Sequence, residues 1–327
     1  MDYALLGRTG VKVSNICLGT MTFGNEADEA TSRAIMDRAL ESGINFFDTA
    51  NIYNKGKTEE IVGHWLTPHR DEIVLASKVY FPAGEGINDR RSSRRHITME
   101  LENSLKRLRT DRLDILYLHH WDDDTGLEQS LAALETLMQQ GKVLYGAVSN
   151  FAAWQTMKAL AVATARSFNP IVCIQPQYNF LKRQAEVEIL PMALAEGLGV
   201  CPYSPIAAGV LTGKYLAGET GRVHVNAMYK ERYKNPEYAG VVQRFVARAN
   251  EMGVKPAALA VAWVRSHPAV TSAIIGARNL NQLETALESV SIALTSIERE
   301  SISALGITPP LATDRENMSV TQTVIGR

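Results

Sequence analysis

The chain repeats one alternation from end to end: a short apolar run, then a segment with helical spacing, eight times over. The runs are NICLGT (15–20), INFFDTA (44–50), EIVLASK (72–78), LDILYLHH (113–120), VLYGAVSN (143–150), VCIQPQYN (172–179), GVCPYSP (199–205) and SAIIGA (272–277). Most are nearly continuous in apolar residues, the pattern of strands covered on both faces. The segments between them have helical ends. Residues 28–42 begin at Asp28 and stop at Gly43; 98–109 place Leu101, Leu105 and Leu108 on one face; 127–140 place Leu127, Leu131, Leu134 and Met138 likewise. Pro256 suits the first turn of 256–266, and Thr295 with Glu298 forms a capping-box pattern for the last helix.

Strands alternating with helices imply parallel pairing through right-handed crossovers. An open doubly wound sheet and a closed (β/α)8 barrel both satisfy that rule. An open sheet that holds a dinucleotide carries GxGxxG after its first strand, and GTMTFG at 19–24 lacks the spacing. Eight units without a break in composition favour an α/β barrel, one domain over residues 1–327. A plain barrel uses about 250 residues, so long loops are expected. The surplus falls at 80–96 and 213–240. The first fourteen residues read as a hairpin closing the barrel floor, and the segment from Thr308 as a loop over the mouth or a disordered tail.

Lys and Arg number 34 against 35 Asp and Glu, so charge gives no reason to expect nucleic acid or an anionic membrane as partner. No run of eighteen apolar residues is present, and MDYALLGRTG lacks the basic-then-apolar form of a secretory leader, so a cytoplasmic location is expected. Cys17, Cys173 and Cys201 sit in apolar runs and read as buried, reduced thiols; no Cys/His spacing suggests a metal. Oligomeric state is left open.

Barrel active sites lie at the C-terminal ends of the strands. There the sequence puts Asp48 with Tyr53 five residues on, then Lys78, His119 and His120, Ser149 and Asn150, Gln175, Tyr203 and Ser204, and Arg278. An acid, a phenol, an amine and an imidazole on one rim suit proton delivery to an oxygen. A free tyrosine, with a pKa near ~10, is a weak acid at neutral pH, and an adjacent ammonium favours the phenolate. Lys78 is the expected cation, Asp48 its partner, Tyr53 the acid, and a histidine the group that orients a carbonyl. A lysine used instead as a Schiff-base amine would need no carboxylate beside it, so Asp48 speaks against a hydrolase or aldolase. Met21, Phe23, Tyr80, Phe81 and Trp121 are candidates for an apolar mouth or for core packing beneath it. The stretch DRRSSRRH (89–96) reads as a solvated basic loop.

The segments CLGTMTFG, GINFFDTANIYNKGKTEEIVG, ASKV, SLKRLRTDRLDILYLHHWD, GKVLYGAVSN, QPQYNF, YSPIAAGVLTGKY and IIGARNLNQLE, in this order, resemble the aldo-keto reductases over about residues 3–315. The resemblance is greatest to the branch with microbial reductases of sugar-like substrates and potassium-channel β-subunits. It implies a (β/α)8 barrel and NADPH-dependent hydride transfer to a small aldehyde or ketone, with NADH as a further cofactor. It also implies catalytic roles for Asp48, Tyr53, Lys78 and His119. His119 rather than His120 falls five residues after Asp114, as the family motif requires. The implied cofactor wall comprises Gly19, Thr20, Met21 and Asp48. Ser149, Asn150 and Gln175 match the carboxamide set, and Tyr203 the stacking ring. The loop Ser204, Pro205, Ile206, Gly209, Leu211, Gly213 and Lys214 matches the pyrophosphate wrap, with the N–H groups of Gly209, Leu211 and Gly213 as donors. Gly276, Arg278 and Gln282 match the adenine-ribose end, with Arg278 on the 2′-phosphate. Where relatives carry Glu-Asn near the adenine, this chain has Thr285 and Ala286. The channel-associated relatives imply the alternative of a cofactor-binding subunit with little turnover.

Overall fold

The structure, a computed structural model, describes residues 1–313; most of the segment read as a mouth loop or tail lies outside the described residues. Strands β1 (Tyr3–Leu5) and β2 (Lys12–Ser14) form an antiparallel hairpin. The eight expected strands follow as β3 (Ile16–Gly19), β4 (Phe46–Asp48), β5 (Val74–Val79), β6 (Leu113–Leu118), β7 (Val143–Ser149), β8 (Cys173–Gln175), β9 (Gly199–Val200) and β10 (Ala273–Gly276). All pairings among them are parallel, in the order β10-β3-β4-β5-β6-β7-β8-β9. The ring closes where the Ile274 N–H donates to Pro202 O at 2.9 Å and Tyr203 bridges to Ile274. The fold is a (β/α)8 barrel.

Two cores explain the continuous apolar runs. Cys17, Phe46, Ala76, Ile115, Tyr117, Ala147, Cys173 and Cys201 point inward, while Leu18, Phe47, Leu75, Leu116 and Val148 point out into the helical layer. Leu6 and Val13 of the hairpin join the inner cluster, so the hairpin plugs the barrel floor. The three cysteines are buried and free.

Helix ends follow the capping signals. Asp28 accepts from the Thr31 N–H at 2.8 Å and starts the helix Glu29–Glu41. Thr295 and Glu298 close the capping box of the helix Ser296–Ser303. One start differs from the sequence reading. Ser93 caps the His96 N–H at 3.2 Å, so the helix Arg94–Leu108 begins ahead of residue 98. Arg94 and Arg95 are therefore in a helical turn and Arg91 is ion-paired with Asp122 at 3.2 Å, while Arg90, Arg91, Arg94 and Arg95 are all exposed, as a solvated basic stretch requires. The 213–240 insertion holds the short helices Arg222–Val225 and Ala227–Arg232. Among the described residues no helix is long and apolar enough to cross a membrane, and no group of three or more metal-ligating side chains is gathered.

Candidate active site

The C-terminal rim opens into a cavity of about 1680 Å³. At its deep end Lys78, with 1 % of its surface exposed, is ion-paired with Asp48 and donates to Thr49 O at 2.7 Å. The same Nζ lies 3.4 Å from Tyr53 Oη. The second Asp48 oxygen accepts from Gln175 Nε2 at 2.8 Å, so both carboxylate oxygens are engaged. These four side chains arrive from β4, its following loop, β5 and β8. Burial alone lowers the Lys78 pKa, but Asp48 and Tyr53 oppose it and leave it above its ordinary value, so the amine is charged at neutral pH. Burial likewise raises Asp48 against the pull of Lys78 and Gln175.

Tyr53 departs from the expectation that the ammonium makes it more acidic. Burial raises its pKa by more than Lys78 lowers it, and the phenol stays protonated at neutral pH. An ammonium 3.4 Å away would favour a phenolate only once the proton had left. His119 is held well below the usual histidine range by burial, then by Lys78 and His120, and is a neutral imidazole. Its ring stands edge-on to Tyr53, centroids 6.4 Å apart, and its Nδ1 is buried with no protein partner. His120 instead stacks on Tyr80 at 5.3 Å and bonds the Trp121 carbonyl at 2.7 Å. Of the apolar candidates, Met21 and Phe81 line the cavity, whereas Phe23 is fully buried in the outer core and Trp121 packs on Phe151 and Trp154.

The cavity runs from this end past Ser149, Asn150 and Tyr203, along the loop from Ser204 to Lys214, to Gly276, Arg278 and Gln282. Gly19, Thr20 and Met21 form the wall beside β10. Gly19 is required there, because a Cβ would sit 2.8 Å from Ile274 Cγ2. Tyr203 Oη donates to Asn150 Oδ1 at 2.8 Å, and Asn150 Nδ2 donates to His119 O at 2.9 Å. Asn150 does not cap the next helix, since Ala152 takes that position and Gln155 binds its N–H. Four non-glycine residues in the left-handed region, Asn54, Asn150, Ser204 and Ala208, line the cavity. Such backbone costs about 1 kcal/mol or more each and collects at functional sites.

The loop after β9 corrects one expectation. The N–H groups of Gly209 and Leu211 both donate to Ile206 O, and that of Gly213 to Val210 O. Tight turns consume the donors expected to meet phosphate. Leu211 itself is fully buried and lies off the cavity wall, which every other expected cofactor residue reaches. On the cavity wall the loop offers the Ser204 hydroxyl and the Lys214 side chain. Thr285, in the place of the relatives' acid, turns its hydroxyl to Asn281 O at 2.9 Å.

The sequence reading missed a clasp over the cavity. Arg222 of the insertion binds both oxygens of Glu26, which follows β3, although the two are 196 positions apart. No local pattern announces such a pair. The insertion also brings Met228, Tyr229 and Arg232 to the wall.

A family model described as the aldo/keto reductase family matches residues 15–307. The chain is 44% identical over 306 residues to an uncharacterized oxidoreductase, YrpG, of Bacillus subtilis, covering 90% of this chain and 92% of that one. It is 35% identical over 304 residues to a probable voltage-gated potassium channel subunit beta of Oryza sativa, covering 89% and 92%. It is 32% identical over 304 residues to norsolorinic acid reductase A of Aspergillus parasiticus, covering 88% and 76%.

Proposed function

The chain belongs to the aldo/keto reductase family, and from that premise we propose that it reduces a small aldehyde or ketone with NADPH, Tyr53 giving the proton. The observation that carries this reading is the buried Lys78 ammonium, paired with Asp48 and 3.4 Å from Tyr53 Oη at the foot of the cavity.

The cavity wall fits an extended dinucleotide. Lys214 and Arg278 supply cations along it, and a Cβ at Gly276 would meet no protein atom within 4 Å, leaving space beside β10. Ser149, Asn150 and Gln175 would hold the carboxamide, Tyr203 the nicotinamide face, Lys214 the pyrophosphate, and Arg278 with Gln282 the adenine ribose. When bound, reduced nicotinamide supplies hydride to the carbonyl carbon.

The chain's own residues do the rest. Neutral His119 donates a hydrogen bond that fixes the carbonyl oxygen near Tyr53. Tyr53 Oη passes its proton to that oxygen as negative charge builds there. Lys78 stabilises the resulting phenolate, and Asp48, itself held by Gln175, keeps the ammonium in place. The buried setting strengthens each of these interactions relative to water.

Arg278→Ala should weaken NADPH binding about ten- to hundredfold, the worth of one charged hydrogen-bonding contact, and change NADH little. Titration of the protein with each cofactor checks this, and equal weakening would remove the 2′-phosphate role. The likeness to the rice channel-subunit protein supports a second reading, a cofactor-binding subunit with little turnover. A panel of aldehydes with NADPH separates the two: alcohol formation supports the reductase, whereas tight NADPH binding with no carbonyl reduced supports the subunit.

A further inference from the structure

Five cations line the cavity: Lys214, Arg222, Arg232, Lys255 and Arg278. Arg222 is bound to Glu26 and Lys255 to Glu288. Lys214 and Arg278 fall to the proposed cofactor phosphates. Arg232 has no carboxylate partner among the described residues, since its neighbour Glu231 pairs with Lys234.

Its placement there is built. The helix Ala227–Arg232 is pinned by Tyr229 and Tyr233, which are 5 % and 9 % exposed. Tyr233 Oη accepts from Gln177 Nε2 at 3.3 Å and from Asn179 Nδ2 at 3.2 Å, tying the helix end to the segment after β8. The Arg232 guanidinium packs over the Tyr229 ring, 5.4 Å from its centroid, while Arg222 lies 5.8 Å from the same centroid. Tyr203 reports the direction of its field. Burial raises the Tyr203 pKa, and Arg232 is the foremost influence opposing it. Tyr203 in turn bonds Asn150, which bonds the His119 carbonyl. Arg232, Tyr203, Tyr53 and His119 all line the same cavity.

We propose that Arg232 receives an anionic group of the substrate, a carboxylate or a phosphate ester borne a few bonds from the carbonyl that Tyr53 protonates. The inference rests on the reductase reading for the carbonyl and on the cavity alone for the anion. A planar guanidinium suits either group, because two parallel N–H donors match two oxygens. Met21, Phe81 and Met228 add apolar surface to the same cavity.

Two matched pairs of substrates test it: para-carboxybenzaldehyde against its methyl ester, and glycolaldehyde phosphate against glycolaldehyde. In at least one pair kcat/KM should favour the anion by about tenfold or more. The pair that responds identifies the anion. Arg232→Met should collapse that ratio towards one, and Arg232→Lys should keep part of it. Binding of both anionic aldehydes to the NADP-loaded protein is measured by calorimetry alongside. If no carbonyl turns over, the reductase reading fails, and calorimetry still decides: anion binding lost in Arg232→Met upholds the site, and absent binding overturns it. No anion preference, a preference that survives Arg232→Met, or a loss of ADP-ribose affinity as large as the loss for the anion each overturn the proposal.

Discussion

Tyr53→Phe should lower kcat for carbonyl reduction by about 10²- to 10⁴-fold, the span of a lost general acid, while NADPH affinity changes little. The substitution removes one hydroxyl and keeps the ring. Tyr53 Oη has Lys78 as its close polar contact at 3.4 Å, and Lys78 keeps Asp48 and Thr49 O when the hydroxyl is gone. The fold therefore survives, and the loss reads on chemistry. Stopped-flow oxidation of NADPH separates the chemical step from binding. Near-normal reduction by the variant would remove Tyr53 as the acid and leave His119 or solvent to supply the proton.

Arg107→Met should destabilise the protein by about 3–5 kcal/mol, a large share of the 5–15 kcal/mol typical of a folded domain. Glu59 is fully buried between the helices Lys57–Leu66 and Arg94–Leu108. It accepts from Ser77 Oγ at 2.6 Å and from Arg107 Nε at 2.8 Å. Arg107 also lies 3.6 Å from Glu100, which accepts from Asn51 Nδ2 at 2.9 Å and from Asn103 Nδ2 at 2.8 Å. Removing the guanidinium leaves Glu59 buried without its charge partner, behind the loop that carries Tyr53. Burial already raises the Glu59 pKa and Arg107 opposes it, so the variant raises it further. A raised carboxyl pKa favours the native state below its unfolded value, and that benefit is lost as pH rises through the folded value. The stability deficit should thus shrink as pH falls through the folded pKa of Glu59 towards the unfolded value of a glutamate. Adding Glu59→Gln should recover part of it, since the amide oxygen still accepts from Ser77. Thermal unfolding across pH checks all three statements, and a variant as stable as the parent at neutral pH would contradict them.

That cluster was invisible in the sequence, whereas the groups it supports were not. Asp48, Lys78 and His119 stand at or just beyond the ends of apolar strands, and barrel geometry alone brings such ends to one rim. Glu59, Arg107 and Glu100 sit on helix faces where charge normally meets solvent. Only the close crossing of the two helices buries them, and a Cβ at Gly63 would sit 2.2 Å from Arg107 O there. The donors of Gly209, Leu211 and Gly213 were misjudged for a related reason. Pattern marks a glycine-rich loop but not which carbonyls its turns consume. Phe23 followed a strand end, as Met21 did, yet its backbone pairs with Ala27 and sends the ring into the core. Arg232 lies in an insertion without periodicity, so its reach into the cavity emerged only from the fold.

The central claim is that this site moves a hydride from NADPH to a carbonyl carbon and a proton from Tyr53 to its oxygen. A single turnover with NADPH deuterated on the transferred face of C4, analysed by mass spectrometry of the product, tests it most directly. The product should be an alcohol carrying one deuterium on the former carbonyl carbon, formed at a rate that Tyr53→Phe depresses. NADPH bound at full occupancy with its deuterium retained and the aldehyde unchanged would contradict it.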